Sequence, residues 1–271
     1  MLGFSFNGLH SSEFGVVMKS KNRPLLPSPK VVADQALAVD GVYDFSAVNP
    51  YRRMLYNERE ITVECAVVCK DIYVLRKRAR EIARWLFGRK GALRFDDSTD
   101  VFYMGYVANQ IDLTNIIARI GSFTLRFMCE PFGYSRRRSG IKIMYGAGIE
   151  YGEGYEYGNP DYNRFALTAN KSLTVENLGD LPVRPYIRLL GRGKNVKLDL
   201  GSGFIKANCQ FSEHLIFDCF NMTAIADGVN VNPVVTGEFL ELPIGESAVF
   251  VSADAGSMDV TLAFEFYPKV F

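Results

Sequence analysis

The sequence predicts an α+β domain, mostly strand with one helix, followed by an all-β sandwich or jelly roll. Three observations predict it. One helical period runs from Asp71 to Gly88, and the segments around it alternate at the two-residue period of half-buried strands. From about residue 163 onward, short β-type runs separated by Gly, Asn, Asp and Pro replace any helical period. The chain has 271 residues, which favours two domains, and 48% hydrophobic residues suffice for a core in each. The boundaries expected are 1–135, a Tyr/Gly-rich junction at 136–162, and 163–271.

In the first domain, FSFNG reads as a short strand closing on a turn at Asn7-Gly8. The proline-rich RPLLPSPKVV neither continues a helix nor fits a central strand, so it reads as an extended arm across a surface. REITVECAVV puts Ile61, Val63, Cys65 and Val67 on one face. Asp71 then caps a helix that ends at Gly88, with Leu75, Ala79, Ile82 and Leu86 in one stripe. ALRFDD and VFYMGYVAN follow as strands joined at the turn-prone DDSTD. SFTLRFMCE comes next, with Phe123, Leu125, Phe127 and Cys129 sharing a face. Pro131 and the triple arginine after it mark the domain boundary.

In the second domain the strand-like runs are SLTVEN, RPYIRLLG, NVKLDLG, HLIFDC, GEFLELP, SAVFVS and DVTLAFEFYP. At the junction, Tyr145 to Gly158 alternates large or apolar residues with Gly or Glu. That sorting predicts an ordered extended segment or hairpin, its tyrosines packed on a neighbouring surface, with stacking on sugar rings as the competing reading.

Composition excludes more than it assigns. With 31 basic and 30 acidic residues the net charge is +1, so no global attraction to nucleic acid or an anionic membrane is expected. The opening MLGFSFNGLHSSEFG has neither a charged leader nor an apolar core, and no stretch approaches a membrane span; a soluble chain made in a reducing compartment is expected. Five cysteines at positions 65, 69, 129, 209 and 219 match no zinc spacing and read as buried free thiols.

The search for chemistry returns little. Asp96, Asp97, Glu213 and Asp218 are carboxylates without a spacing that demands acid–base work. His10 and His214 lack a serine or cysteine in an elbow-type context. LGRGK, from Leu190 to Lys194, lacks the strand–loop–helix setting of a phosphate loop and reads as a turn between strands. From Asp71 to Lys90, the helix and the two residues after it, there are seven basic residues (Arg76, Lys77, Arg78, Arg80, Arg84, Arg89, Lys90) against Asp71 and Glu81, a local net of +5. That face reads as solvated or as meeting an acidic partner rather than gripping phosphates. No residue is assigned as catalytic, metal-binding or ligand-binding.

Taken in order and spacing, FSFNGLHSSEFGVV, NEREITVECAVV, LRFDD, FYMGYVANQIDL and GSFTLRFMCEPFGYS resemble the distal tail protein family of long-tailed, non-contractile bacteriophages and their prophages. SLTVENLGDLPVRPYIRL, HLIFDCFNMTA and TGEFLELPIGE extend the likeness through the second half. The departures are LAVDGVYDFS, which keeps only Asp40-Gly41 of a basic Pro-Gly-Arg-Asp-Gly type segment, and 145–162, which looks like an insertion.

The resemblance implies a non-enzymatic baseplate protein without cofactor. It implies a homo-oligomer, usually a hexameric ring, at the virion tail tip after assembly in the bacterial host cytoplasm. The ring would join the tail tube protein to the tail-tip hub and host-adsorption apparatus, let DNA and the tape-measure protein pass, and carry a galectin-like sandwich. The alternative reading is a carbohydrate-binding accessory module, in which the C-terminal sandwich contacts host cell-wall glycans.

Overall fold

A computed structural model describes residues 3–35, 40–49, 52–88, 90–110, 114–117, 120–140, 162–254 and 256–271. The expectation for Tyr145 to Gly158 falls outside them. The chain divides into two compact units, Met1–Tyr134 with Phe271, and Ser135–Val270.

The first unit begins with β1 (Phe4–Phe6) and β2 (Leu9–His10). Asn7 and Gly8 join them with φ of 53° and 82°, and Asn-Gly is the pair that tolerates two left-handed residues in a two-residue hairpin. There follow β3 (Val16–Asn22), β4 (Ala33–Asp34), β5 (Tyr43–Asp44) and β6 (Arg59–Val68). After α1 (Ile72–Leu86) come β7 (Gly91–Phe95), β8 (Ser98–Val107), β9 (Thr114–Ile117), β10 (Ile120–Cys129) and β11 (Gly133–Ser135). The main sheet runs β2-β1-β7-β8-β10-β6-β3, with β9 paired to β10.

The pairing of β6 with β10 is the long ladder of this unit, from Arg59↔Cys129 to Val68↔Ile120. Its register sets Ile61, Val63 and Cys65 opposite Phe127, Leu125 and Phe123, all at 5% exposure or less. A slip of one residue would turn this whole set to solvent, so the apolar face specifies the register. DDSTD contributes less turn than expected: β8 already begins at Ser98, leaving Asp96-Asp97 as the connection. Ser98 pairs with Phe95, and that contact extends the strand into the acidic run.

Arg59 breaks the apolar pattern. It shares the inward parity of β6 and is 2% exposed, against the Tyr103 ring at 5.3 Å. Its Nη1 donates to Tyr103 Oη at 3.5 Å, while Nε and Nη2 have no partner. Burial lowers its pKa, and the neighbouring Arg23 adds to that.

α1 lies on the sheet through Leu75, Ile82, Trp85 and Leu86. Asp71 Oδ1 accepts the backbone N–H of Tyr73 and Val74 at 2.8 and 2.9 Å, satisfying donors that the first turn leaves free. Gly88 follows the helix with φ 72°. Trp85, the one tryptophan of the chain, stacks on Phe14 at 4.4 Å and 8° and on Phe4 at 5.6 Å and 20°. Its Nε1–H donates to the Phe6 carbonyl at 3.0 Å.

The second unit is a sandwich. Its strands are β12 (Arg164–Leu167), β13 (Lys171–Asn177), β14 (Tyr186–Lys194), β15 (Lys197–Asp199), β16 (Phe204–Ala207) and β17 (Gln210–Phe211). Then come β18 (His214–Asp218), β19 (Thr223–Ala226), β20 (Val229–Asn230), β21 (Val235–Gly237), β22 (Gly245–Ser252) and β23 (Asp259–Glu265). One sheet is ordered β12-β23-β14-β18-β19-β20, with β17 on β14; the other is β13-β22-β15-β16-β21. Inward residues of both, such as Ile187, Leu189, Phe217 and Phe264 from one and Val175, Leu198, Val249 and Val251 from the other, form a single core.

Two expectations are corrected here. LGRGK is not a turn, because it lies within β14. Gly191, at φ 127°, bends the strand so that it leaves β18 and pairs with β17, and a Cβ there would stand 2.1 Å from the Asp259 carbonyl. GEFLELP joins a ladder only at its first residue, Gly237, which ends β21 opposite Ile205. Beyond it Leu240 and Leu242 are buried in the core, and the backbone pairs through an isolated bridge between Val183 and Leu242.

Removing the indole tests how far the first unit rests on it. Trp85→Ala should cost about 3–5 kcal/mol, and Trp85→Phe, which mainly loses the hydrogen bond, about 1–2 kcal/mol. Urea unfolding followed by circular dichroism measures both; a Trp85→Phe variant as stable as the wild type would show that the bond to Phe6 contributes nothing.

Candidate assembly surface

The carboxylates and histidines considered for chemistry are mostly engaged with backbone. His10 and Asp96 do meet: His10 Nε2 lies 3.2 Å from Asp96 Oδ1, and His10 Nδ1 lies 2.7 Å from Ser12 Oγ. The set has the outline of a Ser–His–Asp relay, yet its remaining bonds cap a short 3-10 turn, Ser11–Phe14. Ser12 N–H donates to His10 Nδ1 at 3.2 Å, His10 N–H to Glu13 Oε1 at 2.9 Å, and Gly3 N–H to Asp96 Oδ2 at 2.7 Å. Asp97 is ion-paired to Lys21, which holds its carboxyl below the usual range.

In the second unit, Asp218 accepts the N–H groups of Phe220 and Asn221 at 3.1 and 2.9 Å. Glu213 and His214 contribute through their backbone. Their N–H groups, and that of Ser212, converge on Asp227 at 2.9, 2.9 and 2.8 Å. Those donors hold the Asp227 carboxyl well below the ordinary carboxylate range. The sequence signal for Asp227 is its Asp-Gly pair between Ala226 and Val229, a hairpin turn with φ 46° and 80°. Among the described residues no group of three or more His, Cys, Asp or Glu could hold a metal ion.

All five cysteines are free. Burial pushes the Cys65, Cys129 and Cys219 thiols up to about 12, so they behave as small apolar groups. Cys209 is half-buried and also shifted upward by burial, and Cys69, just beyond the end of β6, is half-buried.

The segment between β3 and β6 is the feature of the first unit that its own core does not explain. Its base is a short ladder: Lys30 N–H donates to Leu55 O at 2.7 Å, and Asn57 N–H to Ser28 O at 2.9 Å. Farther out, β4 pairs with β5, Phe45 N–H donates to Val32 O at 2.8 Å, and the buried Ser46 accepts Val32 N–H at 2.9 Å. The proline-rich arm is thus one limb of a hairpin. Leu25, Val31 and Val48 are 84%, 62% and 76% exposed, and Leu26, Val32, Val42, Tyr43 and Phe45 are also exposed. Tyr43 and Phe45 stack on each other at 6.4 Å. The hairpin is thus ordered by backbone bonds while these apolar side chains face solvent.

Residues 18–129, the stretch that contains this hairpin and α1, match the sequence model of the phage tail protein RIFT-related domain. No curated protein matches the sequence. Among solved structures, the Dit protein (gp 19.1) of SPP1 superposes with a TM-score of 0.70 at 15% identity, over 98% of this chain and 99% of that one. It is described as a paradigm of the hub adsorption apparatus in phages that infect Gram-positive bacteria. The likeness at this identity is one of fold, and it spans both units.

Two outcomes check this assignment of polar groups. Iodoacetamide at mildly alkaline pH should label the native protein at Cys69 and Cys209 only, with Cys65, Cys129 and Cys219 reacting after denaturation, as peptide mass mapping would show. Asp227→Ala should lower the thermal midpoint at neutral pH. Because the folded pKa of Asp227 is depressed, its contribution is complete above the unfolded carboxylate value near about 4 and is lost as pH falls below it. The gap between wild type and variant should therefore close in acid; a gap constant with pH would sink the assignment.

Proposed function

We propose that this chain, which carries a phage tail domain and has the fold of a distal tail protein over its length, is a structural adaptor at the tail tip that closes into a homohexameric ring. In this reading residues 1–135 form the ring, 136–162 the junction, and 163–271 a sandwich carried by it. The ring joins the tail tube protein to the tail-tip hub and adsorption apparatus and leaves a passage for DNA and the tape-measure protein. The virion tail tip is its place of action, after assembly in the host cytoplasm.

The observation that carries the reading is the exposed apolar hairpin between β3 and β6. Ring closure requires a heterologous contact, in which one patch meets a different patch on the next copy. A proline-restrained arm suits that role because its backbone is already ordered and loses less entropy on docking. The net charge of +1 adds little repulsion between copies.

A second reading, a carbohydrate-binding module, is favoured by one feature of the sandwich. Phe204 on β16 and Phe250 on β22 both pair with Asp199 on the intervening β15, and the two rings are 39% and 47% exposed. Aromatic faces flanking a polar residue on an open sheet suit stacking on sugar rings.

Negative-stain electron microscopy of concentrated protein should show six-fold rings or back-to-back ring pairs. Val32→Glu with Tyr43→Glu should reduce the ring population at least about tenfold, an effect of about 1.4 kcal/mol, without moving the thermal midpoint. A monomer that retains host-wall glycans on an array, and loses them on Phe250→Ala, would replace the ring reading with the second one.

A further inference from the structure

The ring reading leaves the outer side of α1 unused, and the inference drawn from it does not depend on rings. Tyr73 and Phe87, at the two ends of the helix, are 79% and 84% exposed, and Val74 beside the first is also exposed. Between them Arg76, Lys77, Arg80 and Arg84 face solvent. Steps of three and four residues connect these positions, so they form one stripe. At 1.5 Å per residue the cations extend over about 12 Å, and the aromatic ends stand about 21 Å apart.

The stripe is uncompensated. Glu81, the one acidic residue within α1, is 2.9 Å from Arg78 and is taken up there. Among the described residues Arg76, Lys77, Arg80 and Arg84 have no ion-pair partner. A face kept only for solubility would mix charges of both signs and would not leave two large aromatic side chains uncovered. Arginine and aromatic residues together, with carboxylates absent, are the composition found where protein interfaces bury their centres.

The two obvious polyanions differ in what they offer. A nucleic-acid backbone would satisfy the cations but provides no apolar surface for Tyr73, Val74 and Phe87, and the aromatics stand at the ends of the basic run rather than interleaved for base stacking. A protein segment bearing a row of carboxylates with apolar side chains on either side satisfies both. We propose that the outer face of α1 docks such an acidic, amphipathic segment of a partner protein. Its carboxylates pair with Arg76, Lys77, Arg80 and Arg84, and its apolar residues cover Tyr73 and Phe87.

The test uses the full chain and a fluorescent synthetic helical peptide with glutamates at every fourth position and leucines near both ends. The controls are the same peptide with lysine for glutamate and a short duplex DNA. In anisotropy titrations the glutamate peptide should bind, weakening as salt rises, and the lysine peptide should not. Arg80→Glu with Arg84→Glu should weaken binding at least about tenfold, and Tyr73→Ser with Phe87→Ser several-fold. All four side chains are exposed, so circular dichroism should show the variants folded. No binding of the glutamate peptide, or binding indifferent to both pairs of substitutions, would overturn the proposal. Tighter binding of the duplex, insensitive to loss of the aromatics, would assign the face to nucleic acid instead.

Discussion

The first unit depends on the seating of one indole. Trp85 lies against Phe14 and Phe4, and its N–H is bonded to the carbonyl of Phe6. Stacking and burial supply the strength of the contact, while the hydrogen bond fixes its position along β1. Because Phe4 also touches Phe95 and Phe127, the same cluster ties the N-terminal strand to β7 and to the long β6–β10 ladder. With its inner stripe held this firmly, α1 has a fixed outer stripe, and the arm between β3 and β6 springs from a rigid base.

The polar chemistry of the chain is directed to holding turns. Asp71 caps α1, Asp218 and Asp227 gather backbone N–H groups around β18, and the His10–Asp96 pair closes the turn after β2. Three of the thiols are buried beyond the reach of ordinary ionisation. Among the described residues, the hairpin between β3 and β6 exposes apolar side chains and the outer side of α1 exposes basic and aromatic ones.

Much of this was legible from spacing. The two-residue alternation in REITVECAVV and SFTLRFMCE places Ile61, Val63, Cys65, Val67, Phe123, Leu125, Phe127 and Cys129 on the core face, where the structure has them. Asp71, Gly88 and Asn7-Gly8 act locally, through caps and positive φ, and so could be read locally. The stripe of α1 was found at Leu75, Ile82 and Leu86, but Trp85 was missed, because its burial depends on Phe4 and Phe14, far away in sequence. The exposure of Tyr73 and Phe87 was hidden for the same reason.

By itself, the sequence determined the class of fold, the parity of β6 and β10, the extent and sign of charge of the helix, and the poverty of catalytic spacing. These follow from periodicities and caps that act over a few residues. Tertiary structure alone decided that Arg59 is buried with two guanidinium nitrogens unpaired, that LGRGK continues a bent strand, and that GEFLELP leaves its ladder after Gly237 to fill the core. It also decided that the proline-rich arm is half of a hairpin with its apolar side chains in solvent. Each of these outcomes turns on which distant strand lies alongside. That choice is made by packing across the whole unit, and no local spacing encodes it.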